Sequence, residues 1–355
     1  MPVADPQGNL PLPWLASPLL AALAQQRGHA TLVHGAPGVG ALEFALALAQ
    51  AQLCEAAPVG AAAAPPCGRC GSCHLVQSGL HPDLFVLLPE VRRRETGWLL
   101  QDDKPEGEEL KRKPSKQIRI DEVRLLIDWS HKTSARGRGK VVVLHPAEAM
   151  NLQSASALLK TLEEPPTGTR LLLTTADPAH LLPTVRSRCQ RLALPAPSPY
   201  MAAAWLAGQG VARPDVLLAA CNARPLDALA LVAAGVDAAA WAALPGAVAR
   251  GQVAGLAGWS PPLLVDALQK LCHDAMAHSV GGAGCYFPPD SLPARAALPA
   301  LLAWAAELGR VARHVDHPWS EALLLDALVQ QGRQALATAP PSHEAPARGF
   351  ATLGR

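Results

Sequence analysis

Short apolar runs alternate with longer stretches of helical character through the first half of the chain. Ala30 to His34 is one such run, and Ala41 to Gln52 follows it with strong helix formers. Leu84 to Leu88, Val141 to Leu144, Arg170 to Thr175 and Gln190 to Leu194 repeat the strand signal. Val141-Val142-Val143-Leu144 is apolar at every position, as a central strand covered on both faces requires. Between these runs, Asp121 is placed to cap a helix whose apolar face includes Val123, Leu126 and Ile127. Asn151 to Glu163 reads as a further helix, halted by Pro165-Pro166. Strands alternating with helices predict a parallel α/β sheet.

After Pro195-Ala196-Pro197 the strand signal ends. Short Ala/Leu-rich helices are predicted from Ser198 to about Ala243, then longer ones from Pro261 to Ala277, Leu298 to Val311 and Glu321 to Leu336. The expected division is an α/β domain at 1–196, a small helical domain at 197–244 and a larger all-α domain at 245–337. The stretch 338–355, with Pro340-Pro341 and scattered glycines, is expected to be a disordered tail. Residues 91–117 are polar, with Arg92-Arg93-Arg94 near the start and Lys111-Arg112-Lys113 near the end, and read as a solvated, mobile loop.

Composition narrows the function classes. A chain of 355 residues has room for two or three cores. A formal net charge of +2 gives no general argument for nucleic-acid binding. No run has the length and purity of a membrane span, and the first residues lack the basic-then-apolar order of a signal peptide, so a cytoplasmic setting with reduced thiols is expected. Clustered cysteines in that setting point to metal.

Two motifs carry chemistry. Gly35-Ala36-Pro37-Gly38-Val39-Gly40-Ala41-Leu42 follows a strand and opens a helix, the context of a phosphate-binding loop. Its glycines stand where such a loop needs them. Ala41 replaces the lysine that neutralises phosphate, and Leu42 replaces the hydroxyl that holds magnesium. Each lost charge-assisted bond to phosphate is worth roughly 1.5–3 kcal/mol, so no functional ATP site and no hydrolysis are expected. Backbone amides of residues 38–40 remain as a weak anion site. The second motif is Cys67-x-x-Cys70-x-x-Cys73, with Cys54 upstream at the end of a predicted helix. Four thiolates would close a tetrahedral structural zinc site with no open position for water. A three-cysteine site completed by His74 or His81, a redox pair and unrelated buried thiols are the alternatives. Cys221, Cys272 and Cys285 read as small core residues.

Leu158-Leu159-Lys160-Thr161-Leu162-Glu163-Glu164-Pro165-Pro166, then Leu171-Leu172-Leu173-Thr174-Thr175, then Ser187-Arg188-Cys189, resembles the signature, sensor-1 strand and SRC motif of clamp-loader subunits of the AAA+ family. The resemblance covers about 15–195 closely and the rest loosely. It implies an AAA+ sheet domain with a zinc module at 54–73, then a small helical lid and an all-α collar. It also implies that Arg188 is a finger reaching ATP in a neighbouring subunit, with Arg186 the lesser candidate. Lys160 and Glu163-Glu164 read as solvated residues at a helix end on a subunit edge. The sequence departs from the hydrolysing members of the family at Ala41 and Leu42, at His145-Pro146 after the strand that should end in Asp-Glu, and at Leu226, which aligns with the sensor-2 arginine. The resemblance therefore implies an ATPase-inactive member of a bacterial DNA polymerase III clamp loader, a non-catalytic part of a DNA-directed DNA polymerase holoenzyme. Its implied partners are motor subunits of gamma/tau type, a clamp-opening delta subunit, and through them the sliding clamp and primed DNA. Two other readings stand beside it: an active motor-type ATPase with a variant loop, and a zinc-containing DNA-binding protein using the basic insert and Arg136-Gly137-Arg138-Gly139-Lys140.

Overall fold

Five strands form one parallel sheet in the order β2-β3-β4-β1-β5. The structure is a computed structural model and describes residues 3–25, 28–56, 64–98, 113–293, 296–314 and 320–337. In chain order the first elements are α1 (Ala16–Gln25), β1 (Ala30–His34), α2 (Ala41–Leu53), α3 (Gly71–Gln77), β2 (Leu84–Leu87) and α4 (Glu90–Thr96). Then come α5 (Ile120–Ser130), β3 (Lys140–Leu144), α6 (Leu152–Glu163), β4 (Thr169–Thr175), α7 (Pro183–Arg186), β5 (Gln190–Ala193) and α8 (Pro199–Gly208). The expected strands are all present, with ends shifted by a residue at most.

The unbroken apolar runs put β3 and β4 inside the sheet with helices on both faces. Alternation along β3 sends Val141 and Val143 into one core with Phe44, Leu46 and Leu48 of α2, while Val142 and Leu144 enter the other with Leu126 of α5 and Leu158 of α6. Each fully buried Leu or Val contributes about 1.5–3 kcal/mol relative to exposure. Gly139 starts β3 at φ +81, and a β-carbon there would lie 2.3 Å from the Gly168 carbonyl oxygen. Only glycine lets the two backbones approach so closely at the mouths of β3 and β4.

Two local expectations are corrected. The N-cap of α5 is Arg119, not Asp121; the Glu122 carboxylate reaches back to accept from the Arg119 N–H at 2.7 Å, a bond open only to the third residue of the helix. Within the polar insert, residues 90–96 form a helix rather than a mobile loop. Arg93 is 2% exposed there and pairs with Glu122 at 2.7 Å, because a guanidinium taken from water needs a carboxylate partner. Glu90 ties the far end of the insert by accepting from the Ser115 N–H at 2.9 Å and from Arg119 at 3.1 Å. Residues 99–112 of the insert lie outside the described residues, as does the tail 338–355.

The chain divides into two compact units, residues 1–205 with 224–227, and residues 206–223 with 228–355. The second unit holds α9 (Pro214–Ala220), most of α10 (Pro225–Ala233), α11 (Ala238–Arg250), α12 (Pro261–Ser279), α13 (Leu298–Ala312) and α14 (Glu321–Ala335). Residue 244, an expected domain boundary, falls inside α11. Leu264, Leu268, Leu271 and Ala275 on one face of α12 are buried in their own unit. Asp274, 0% exposed, accepts backbone N–H bonds from Cys285, Tyr286 and Phe287 at 2.8–2.9 Å and holds that loop against α12. Cys285 itself is exposed, against the expectation of a core thiol, because the loop folds its backbone inward rather than its side chain. Cys189, Cys221 and Cys272 are buried. No single helix among the described residues is long and apolar enough to cross a membrane.

Candidate functional site

The glycine loop joins β1 to α2 and turns through Gly38 at φ +71 and Gly40 at φ +99, backbone that side-chain-bearing residues rarely adopt. The local fold is that of a phosphate cradle. Side chains from elsewhere in the chain pack against it. The Leu12 side chain packs on Gly40, where a β-carbon would lie 2.3 Å from Leu12 Cδ1. The Trp14 indole N–H donates to the Val39 carbonyl at 2.8 Å, and the ring meets Trp205 edge-on with centroids 5.4 Å apart. Leu42, in place of the magnesium-binding hydroxyl, is 9% exposed and belongs to the core.

Opposite Gly38 stands an acid. A β-carbon on Gly38 would lie 2.6 Å from Oδ1 of Asp227, whose other oxygen pairs with Arg224 Nε at 3.1 Å. The Leu226 N–H donates to the Gly38 carbonyl at 3.1 Å, and its side chain packs against the core. The segment expected to bring a sensor-2 arginine thus brings Leu226 and an Arg224–Asp227 ion pair. Arg224 is spent on that carboxylate within the same segment. Glu43, in the first turn of α2, adds a second carboxyl, raised above its ordinary range by burial. Nothing in the motif spacing points to Leu12, Trp14 or Asp227. They come from segments far along the chain that only the tertiary fold brings to the loop.

His145 follows β3 at the position of the missing acids. Its Nδ1 lies 2.6 Å from Thr174 Oγ1 of β4. Burial, with a smaller push from the Arg92 charge, holds its pKa down to about 4, so the ring is neutral at pH 7. A neutral imidazole on a hydroxyl does not replace a carboxylate as a magnesium ligand or water-orienting base.

Arg188 lies between α7 and β5 with its side chain 32% exposed. Its Nε donates to Glu163 Oε1 at 2.7 Å, Nη2 donates to the same oxygen, and Nη1 donates to the Thr184 carbonyl at 2.8 Å. Arg186 donates to the Pro178 carbonyl at 3.3 Å. The two candidate arginines are therefore near neighbours in the fold, and Arg188 alone ends on a carboxylate.

The cysteines converge at the end of α2 and the start of α3. Cys54 is the C-cap residue of α2 and Cys70 the N-cap residue of α3. Cys54 and Cys70 Sγ are 3.9 Å apart, Cys67 and Cys73 Sγ 4.0 Å, and all four sulfurs lie within 4.8 Å of one another. A tetrahedral zinc with bonds of about 2.3 Å needs sulfurs about 3.8 Å apart, so the four side chains fit the ion. Burial pushes the Cys54 and Cys73 thiols up; at Cys67 burial acts the same way but N–H bonds from Arg69 and Cys70 outweigh it and bring the thiol down to about 6. His74 lies beside Gln77 and His81 beside Ser72, away from the four-sulfur group. Arg136 pairs with Glu55 in the same module, Arg138 donates to the Glu55 carbonyl at 2.9 Å and Lys140 donates to the Trp129 carbonyl at 2.5 Å, so all three cations of the basic loop are engaged within the chain.

Residues 17–198 match the family model described as DNA polymerase III, delta subunit. The DNA polymerase III subunit delta' of Pseudomonas aeruginosa is 40% identical over 215 residues, 59% of this chain and 58% of that one. The subunit delta' of Escherichia coli is 32% identical over 280 residues, 73% of this chain and 76% of its own. The Escherichia coli subunit tau is 32% identical over 168 residues, 47% of this chain and 22% of the tau chain. The match thus spans a little over half of the Pseudomonas aeruginosa relative and about three quarters of the Escherichia coli one.

Proposed function

The chain belongs to the family of DNA polymerase III delta' subunits, and on that premise we propose that it is the non-hydrolysing member of a clamp loader. It binds no ATP of its own and presents Arg188 to ATP held by a neighbouring motor subunit of tau/gamma type. With that motor and a clamp-opening delta-type subunit it helps place a sliding clamp on primed DNA in the cytoplasm. The observation that carries this reading is the pairing of a glycine loop that lacks its lysine and hydroxyl and is packed by Leu12, Trp14 and Asp227 with an arginine at the edge of the sheet domain. A guanidinium supplied in trans stabilises charge on a transferring phosphoryl group without needing any nucleotide machinery in its own subunit.

The helices after residue 196 serve as lid and collar through which the subunits assemble, with the junction between the two outside α11 rather than at residue 244. Cys54, Cys67, Cys70 and Cys73 hold a structural zinc, which when bound ties the end of α2 to the start of α3 and offers no position for water.

The test is reconstitution with tau/gamma-type and delta-type subunits, the clamp and primed DNA. The chain alone turns over no ATP. Arg188→Ala leaves assembly intact and slows hydrolysis at the adjoining site by about 10³-fold or more. Undiminished turnover in the Arg188→Ala complex refutes the reading.

A further inference from the structure

We propose that Glu163 is the positioning residue for Arg188, a role that rests on the finger reading above. Glu163 is the last residue of α6, twenty-five positions before Arg188, and a solvated helix end is all that its sequence context suggests. The structure gives it a specific partner. Its Oε1 accepts from both Nε and Nη2, which engages one side edge of the guanidinium. The Thr184 carbonyl accepts from Nη1 at 2.8 Å, and Ser187 Oγ lies 3.4 Å from the same nitrogen. A guanidinium carries five N–H groups. Among the described residues nothing accepts from the second hydrogen of Nη2, at the end of the group farthest from its own backbone, and the proposal gives it to an acceptor outside the subunit.

Both side chains are partly exposed, at 32% and 47%, and an ion pair in that setting adds little to stability. Its effect lies in the torsions it fixes. A free arginine at a subunit edge samples many rotamers and loses that freedom when it meets a phosphate. Glu163 and Thr184 bias the plane of the group beforehand, from two elements of the sheet domain, so part of its ordering precedes the transfer step. Placement of a transition-state contact to within an ångström decides most of what it contributes.

The experiment measures ATP turnover of the full reconstituted complex carrying Glu163→Ala, Glu163→Gln, Arg188→Ala, or Glu163→Ala with Arg188→Ala. Glu163→Ala is expected to lower kcat about tenfold with KM for ATP unchanged, since the contact acts only as phosphoryl transfer proceeds. Glu163→Gln keeps an acceptor oxygen and recovers part of the loss. In the Arg188→Ala background, Glu163→Ala has no further effect. Complex assembly and the melting temperature of the chain stay unchanged by Glu163→Ala. Turnover equal to or above that of the unaltered complex, or a tenfold loss that persists without Arg188, overturns the proposal. If Arg188→Ala itself costs nothing, the finger reading fails; if Arg188→Ala slows turnover and Glu163→Ala does not, only the positioning role fails.

Discussion

His145 sits where a motor ATPase would keep its acids, and burial rather than a charge partner sets its protonation. Its folded pKa of about 4 lies below the ordinary 6.5. Between those values the unfolded chain binds the extra proton, so stability is fully present above pH 6.5 and drains away as pH falls toward 4. The full loss from this one group is about 3 kcal/mol. Urea unfolding at pH 7 and at pH 4 is expected to separate the unaltered chain from His145→Asn, whose stability falls less over the same interval. An equal fall in both proteins would show that His145 titrates freely. At this scale the sequence was legible wherever a motif fixes a residue's role by position: Ala41, Leu42 and His145 stand in defined places. Asp227 was not, because its role depends on a packing contact with Gly38 that no spacing encodes. Arg93 was misleading for a related reason. A run of three arginines has the composition of a solvated loop, and only the carboxylate of Glu122, reached through the fold, makes burial of the middle one tolerable.

Elements were more legible than residues. Strands of unbroken β-branched and aliphatic residues have few alternatives once helices flank them, and all five came out in the expected places. The junction between α2 and α3 was legible too, as two C-x-x-C steps with an upstream thiol, although the order of residues 57–63 between them lies outside the described set. Metal analysis of the purified chain is expected to find about one zinc per molecule, and Cys70→Ser to remove it and lower the melting temperature, since four thiolates would share the ion in the proposed site. A Cys70→Ser protein with full zinc content would eliminate the four-sulfur site. The loop from Gly281 to Phe287 was not legible at all: the anchor is one buried Asp274, and a carboxylate within an amphipathic helix reads as surface until its three N–H donors are seen.

Across the whole molecule, the α/β first half and the helical second half were visible as a change of period near residue 197. The division into compact units was not, since residues 224–227 belong with the first unit while both their neighbours belong with the second. That excursion carries Arg224, Leu226 and Asp227 to the glycine loop. It also yields a test of the proposal that the loop holds no ATP. Ala41→Lys with Leu42→Thr restores the textual P-loop, yet ATP with magnesium is expected not to bind the doubly substituted chain in calorimetry, because Leu12, Trp14 and Asp227 remain in place. Micromolar binding by that double variant would show that the missing lysine and hydroxyl were the whole cause.

The contact between Asp227 and Gly38 also bears on reversal. Under the proposed role, putting a lysine back at residue 41 leaves Leu12 on Gly40 and the Arg224–Asp227 pair beside Gly38, so a fuel site returns only through several concerted changes rather than one.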